Sequence, residues 1–94
     1  MAEVSHVSAR VYGRVQGVFF RYFVMDIARK LSLKGYVRNL ASGDAVEVQA
    51  EGETQSLQKL VESLQAGPPG AQVRQVELNW SSCSERYRDF DIRY

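Results

Sequence analysis

The chain has 94 residues, 45% hydrophobic and 24% charged, the balance of one folded domain over residues 1–94 rather than of a disordered segment or a multidomain assembly. Twelve Lys and Arg stand against eleven Asp and Glu for a net charge of +1, which excludes a nucleic-acid or polybasic membrane binder working through a large positive surplus but leaves room for one local positive pocket. Cys83 is the only cysteine and can form no internal disulfide, the first residues lack the basic-then-apolar pattern of a secretory signal, and no apolar run approaches the ~20 residues that span a bilayer, so a cytoplasmic protein is expected.

Residues 5–13 alternate, with Val7, Ala9 and Val11 on one face of a half-buried strand. The alternation breaks around Gly17. From Phe20 the period changes: Phe20, Phe23, Val24, Ile27, Ala28 and Leu31 fall on one face of an amphipathic helix, with Gly35 as its stop signal. Tyr36–Leu40 reads as a second strand, Ala41-Ser42-Gly43-Asp44 as a turn, and Ala45–Ala50 as a third strand with Val46, Val48 and Ala50 on one face. Leu57, Leu60, Val61 and Leu64 mark a second helix, closed by Gly67-Pro68-Pro69-Gly70. Val76, Leu78 and Trp80 give a fourth strand, and Phe90, Ile92 and Tyr94 a short last one; polar Ser81–Arg88 between them sets no register.

The order β-α-β-β-α-β with an extra terminal strand predicts a ferredoxin-like α/β sandwich, two helices on one face of an antiparallel sheet. In that arrangement strands 1 and 2 run the same way with strand 3 between them, roughly 10 Å apart. The segment 14–21 and the region of Asn39 therefore share one edge.

That edge holds the residues best suited to chemistry. Arg21 falls in the first turn of helix 1, where a cation opposes the helix dipole by ~0.3–1 kcal/mol and a bound anion would reverse the sign. The preceding loop, Val15, Gln16, Gly17, Val18, Phe19 and Phe20, can aim successive N–H groups into the same space, with Gly17 permitting close approach. Taken alone, Arg21 reads as a solvated surface residue, Gly17 as a plain turn, and Asn39 as a turn residue before Ser-Gly. On one edge together, Arg21 offers a fork for phosphoryl oxygens and Asn39 a donor and an acceptor for a water.

The other candidates are weaker. His6 lies at the start of strand 1 with no obvious partner and reads as a surface residue. Cys83 sits among serines as a bystander. Tyr12, Phe19, Phe20, Phe23 and Tyr36 read as core or site wall, and Asp89 and Asp91 as solvent-facing. No metal-ligand spacing occurs, so neither metal nor cofactor is expected. Such a site could not easily break a stable phosphate ester. An acyl phosphate is a mixed anhydride whose leaving carboxylate needs no proton, so positioning and electrostatics can suffice.

Gly13-Arg14-Val15-Gln16-Gly17-Val18-Phe19-Phe20-Arg21 and Gly35-Tyr36-Val37-Arg38-Asn39 together resemble the two motifs of the acylphosphatase family, G-x-V-Q-G-V-x-F-R and G-x-V-x-N. The resemblance continues through Val46–Gly52, the Gly67–Gly70 turn and Phe90-Asp91-Ile92, nearly the whole chain. It implies the ferredoxin-like sandwich and hydrolysis of acyl phosphates to carboxylate and phosphate without a metal. It also implies a phosphate cradle at Val15–Phe20, a substrate-binding arginine at Arg21 and a water-orienting asparagine at Asn39, with the substrate's own phosphate taking the water's proton. Inorganic phosphate or sulfate is the expected site ligand, and a monomer the expected state.

Other modules use this frame. An RNA-recognition module would carry aromatics on its central strands, whereas strand 3 reads Val46-Glu47-Val48-Gln49-Ala50-Glu51; a metallochaperone would need paired cysteines after strand 1. The remaining alternative is a non-catalytic anion-binding or regulatory module using the same pocket. The same domain type also occurs inside larger carbamoyl-transfer proteins; the Met1 start and the Tyr94 end lead us to expect a stand-alone enzyme.

Overall fold

Alternating and helical periodicities settle into seven elements in a computed structural model that describes residues 2–94. They are β1 (Val4–Arg14), α1 (Phe20–Lys30), β2 (Lys34–Asn39), β3 (Ala45–Glu53), α2 (Thr54–Ala66), β4 (Gln72–Ser81) and β5 (Phe90–Arg93). The sheet order is β4-β1-β3-β2-β5. β3 is antiparallel to both β1 and β2, so these two run the same way, as expected. The sheet is nevertheless mixed rather than wholly antiparallel, because β5 pairs with β2 in parallel.

One face of the sheet carries the core. Val7, Ala9 and Val11 of β1, Val37 of β2, and Val46, Val48 and Ala50 of β3 meet Phe20, Val24 and Ala28 of α1 and Leu57, Leu60 and Leu64 of α2, all fully or almost fully buried. Each large side chain buried there contributes about 1.5–3 kcal/mol, which is what holds the start of α1 against the sheet. Phe23, Ile27 and Leu31 of the expected helical face lie at its margin, half-buried.

Helix α1 ends earlier than its expected stop at Gly35. Ser32 takes the left-handed conformation (φ 58°), its N–H donates to the Arg29 carbonyl and the Leu33 N–H donates to that of Ala28. This is a Schellman closure with serine where glycine is usual. Gly35 instead lies inside β2, which ends at Asn39 and leaves Leu40 in the turn. A Cβ on Gly35 would collide with the backbone carbonyl of Gln49 across the ladder.

The segment from 82 to 89 has no register because it pairs with no strand. It crosses the helix-free face from one sheet edge, β4, to the other, β5, and Glu51 straps it down. The Glu51 carboxylate accepts from the Ser84 hydroxyl and N–H (both 2.7 Å) and from the Glu85 N–H at 3.0 Å. It also pairs with His6 Nδ1 at 2.7 Å. Burial pushes the Glu51 carboxyl up, but the Ser84, His6 and Glu85 donors outweigh it and hold the group down to about 2, from an ordinary 4.5.

Because that value lies below the unfolded one, Glu51 stabilises the fold fully above pH about 4.5 and loses this effect as pH falls toward 2. A shift of this size corresponds to roughly 3 kcal/mol. Thermal melts of Glu51→Gln should be markedly less stable than wild type at pH 7 and should lack the steep loss between pH 4.5 and 2. Superimposable acid limbs would refute the strap.

Candidate active site

The ends of β1 and β2 bring Arg14 and Asn39 to the same sheet edge, flanking β3. Between β1 and α1 the chain turns at Gly17 (φ 74°), where a Cβ would point into open space. Alternate loop residues are nailed down. Val15 and Phe20 are buried, and Val18 packs against the core. The Gln16 amide donates to the carbonyls of Leu40 and Ala45, each at 2.9 Å, tying the loop to the β2–β3 hairpin. Among the described residues, no N–H from Val15 to Phe20 donates to a backbone carbonyl.

Phe19 is the N-cap of α1, in the left-handed region at φ 59°. It has no oxygen with which to cap the first turn, and that turn contains no acid. The first N–H groups of α1 thus face the loop with their positive dipole end uncompensated by any side chain.

Loop and helix start form a cavity of about 180 Å³ lined by Val15, Gly17, Phe19, Phe20, Arg21, Tyr22 and Asn39. Of the residues singled out in the sequence, Val15, Gly17, Phe19, Phe20, Arg21 and Asn39 come together here; Gln16 and Val18 do not line the cavity, and their side chains anchor the loop elsewhere. The Arg21 guanidinium lies 4.9 Å from the ring centre of Tyr94, a cation–π contact that steadies a cation placed against the dipole. Asn39 Oδ1 is buried and accepts no hydrogen bond, an arrangement that ordinarily costs about 1–3 kcal/mol. A larger hollow of about 510 Å³ beside the start of α2 is lined by Glu3 and Glu53 and would repel an anion.

Sequence reasoning missed Tyr22 and Tyr94. The register pairs Arg38 with Arg93, so the parallel strand β5 delivers Tyr94 beside Asn39. Only the parallel pairing reveals this. The Tyr94 hydroxyl, facing that of Tyr22, holds the Tyr22 phenol above its ordinary range. Tyr22 was visible as the residue three after Phe19, on the same side of the first turn.

His6 requires correction. It is not a surface residue without a partner: it is 6% exposed, with Nδ1 on Glu51 and Nε2 2.6 Å from Gln49 Oε1. It pairs with Ser81 and Glu51 at the far end of β1, eight residues from Arg14 and hence roughly 26 Å along the strand. Distance rules it out as a base for this cavity. Cys83 is half-buried on the same strap, its thiol 3.6 Å from the Glu51 carboxylate. Asp91 is exposed and pairs with Arg29.

A family model described as Acylphosphatase matches residues 7–92. An acylphosphatase of Dehalococcoides mccartyi is 48% identical over 88 residues, covering 94% of this chain and 97% of its own. The crystal structure of acylphosphatase from Bacillus subtilis superposes with a TM-score of 0.91 at 40% identity, over 96% of this chain and 99% of that one. That of an acylphosphatase from Coxiella burnetii gives 0.88 at 42%, over 96% and 93%. Fold and sequence together define a ferredoxin-like hydrolase. The chain belongs to the acylphosphatase family.

The Gln16 tether has a measurable role. Gln16→Ala should lose about 1–2 kcal/mol of stability and raise KM for an acyl phosphate several-fold as the loop loosens, read by denaturant melts and steady-state kinetics. An unchanged KM would show that the loop keeps its shape without the tether.

Proposed function

We propose that the chain hydrolyses small acyl phosphates by metal-independent, in-line attack of water, with Arg21 and the loop amides of residues 15–20 holding the phosphoryl group and Asn39 aligning the water. The observation that carries this reading is one cavity lined by both Arg21 and Asn39 at an uncapped helix start. The Asn39 carboxamide hydrogen-bonds the water, whose oxygen attacks phosphorus. As the new P–O bond forms, the bond to the acyl oxygen breaks and the carboxylate leaves with the electron pair. One proton of the water passes to a phosphoryl oxygen of the substrate and the other stays on the new P–OH, since no residue lining the cavity is a carboxylate, histidine or thiol.

The donors fit the charge that develops. Phosphoryl transfer spreads negative charge over equatorial oxygens, and preoriented N–H groups with a guanidinium stabilise it without reorganising. Inorganic phosphate or sulfate carries the same oxygens and is the expected competing ligand. The proposed form of the enzyme is a single-domain cytoplasmic monomer; none of the described helices is long and apolar enough to cross a membrane.

Arg21→Gln should fold like wild type by circular dichroism and lose about 10³-fold or more in kcat/KM, and Asn39→Ala about 10²-fold, mainly in kcat. Near wild-type rates in either variant would remove that residue's role. EDTA should leave turnover unchanged and inorganic phosphate should compete with substrate. Inactivation by EDTA, restored by a divalent cation, would overturn metal independence.

A further inference from the structure

Asn39 is the last residue of β2, so the ladder supports it from one side only, yet its carboxamide must keep a fixed aim to align a water. Both of its chain neighbours are clamped from elsewhere in the sheet. The Leu40 carbonyl accepts from the Gln16 amide, and the Leu40 N–H donates to the Ala45 carbonyl at 3.0 Å. On the other side Arg38 lies opposite Glu47 in the β2–β3 ladder, and its Nε donates to the Glu47 carboxylate at 2.6 Å. Side chains alternate along a strand, so Asn39 lines the cavity while Arg38 lies on the helix-free face.

An ion pair between two exposed groups would fix little. Glu47, however, is 12% exposed against 48% for Arg38, and it also accepts from the Tyr36 hydroxyl at 3.1 Å and the Gln49 amide at 3.3 Å. Burial pushes the Glu47 carboxyl up, but the Arg38, Tyr36 and Gln49 donors outweigh it and hold the group below its ordinary range. In the other ladder Arg38 lies opposite Arg93 of β5, a like-charged pairing that destabilises a sheet when uncompensated. Glu47 supplies the compensation, and the Arg93 guanidinium lies 4.0 Å from the Tyr36 ring centre. One carboxylate thus gathers Tyr36 and Arg38, the outward side chains that precede Asn39.

We propose that Glu47 is a positioning residue for the reaction: through Arg38 and Tyr36 it fixes the end of β2, and with it the aim of the Asn39 carboxamide at the attacking water. The proposal rests on the water-aligning reading of Asn39 above and adds the group on the opposite face of the sheet that keeps it aligned. Glu47 is not among the residues lining the cavity and acts through Asn39 alone. Phosphate binding, which falls to Arg21 and the 15–20 loop, does not depend on it.

The test measures kcat for an acyl phosphate and the inhibition constant of inorganic phosphate in Glu47→Gln and Arg38→Met, each made with Asn39 intact and with Asn39→Ala. A displacement of about 1 Å at a reacting group costs about 10²-fold. With Asn39 intact, a smaller shift should lower kcat about tenfold in Glu47→Gln and several-fold in Arg38→Met, while the phosphate constant stays within about twofold. With Asn39→Ala already present, neither substitution should lower kcat by more than about twofold, because the group being aimed is gone. General loosening of the fold would instead weaken phosphate binding and lower kcat in both backgrounds, and that result overturns the proposal. So does a kcat close to wild type in both variants. Arg38 is half-exposed, so Arg38→Met carries the test should Glu47→Gln not fold. A wild-type kcat in Asn39→Ala itself would overturn the water-aligning reading, a failure distinct from losses that simply add.

Discussion

Every helix start leaves backbone N–H groups without an intrahelical acceptor, and in most proteins a serine, threonine or aspartate at the N-cap answers them. Here the N-cap is Phe19, which has no oxygen to offer, and no acid follows in the first turn. Arg21 adds a cation where the dipole is already positive. These choices compound one another in the same direction, and each is locally unfavourable for a helix. The start of α1 stays in place because Val15, Phe20, Val24 and Ala28 are buried beneath it and Gln16 ties the loop to the neighbouring hairpin. Tertiary packing thereby maintains a concentration of positive potential that a doubly negative group would relieve.

The two faces of the sheet divide the work. The helix-covered face supplies the apolar burial that fixes the cradle. The other face is spanned by residues 82–89, and its cluster of His6, Gln49, Glu51 and Ser84 is internally satisfied. His6 and Glu51, its titratable members, are both hydrogen-bonded and lie at the far end of β1 from the cavity. They act on stability, while Arg21 and Tyr22 are the only ionisable residues among those lining the cavity. That separation suits a reaction whose leaving group needs no proton.

Much of this was legible in the sequence because local pattern and global fold agree. Alternation placed β1 and β3, the 3.6-residue period placed both helices, and the shared edge of β1 and β2 followed from topology. The grouping of the 15–20 loop with Arg21 around one cavity was legible for the same reason, these residues being contiguous in the chain and joined to a helix start. What escaped depended on contacts far apart in sequence. His6 meets Glu51 forty-five positions away, and Tyr94 reaches Arg21 only because β5 pairs in parallel with β2. Gly35 misled because glycine marks a helix end as readily as a close strand approach, and only the neighbouring Gln49 carbonyl decides between them. The exposure of Phe19 followed from its left-handed backbone, which an apolar side chain does not advertise.

Everything in the proposed chemistry depends on an oxyanion binding at the start of α1. Titration of the ¹⁵N-labelled protein with inorganic phosphate, followed by amide and arginine side-chain NMR, tests it directly. Saturable shifts should concentrate at the backbone amides of residues 15–21, the Arg21 guanidinium and the Asn39 carboxamide. Shifts confined to other arginines, such as Arg10 or Arg38 on the helix-free face, with these groups unmoved, would contradict it.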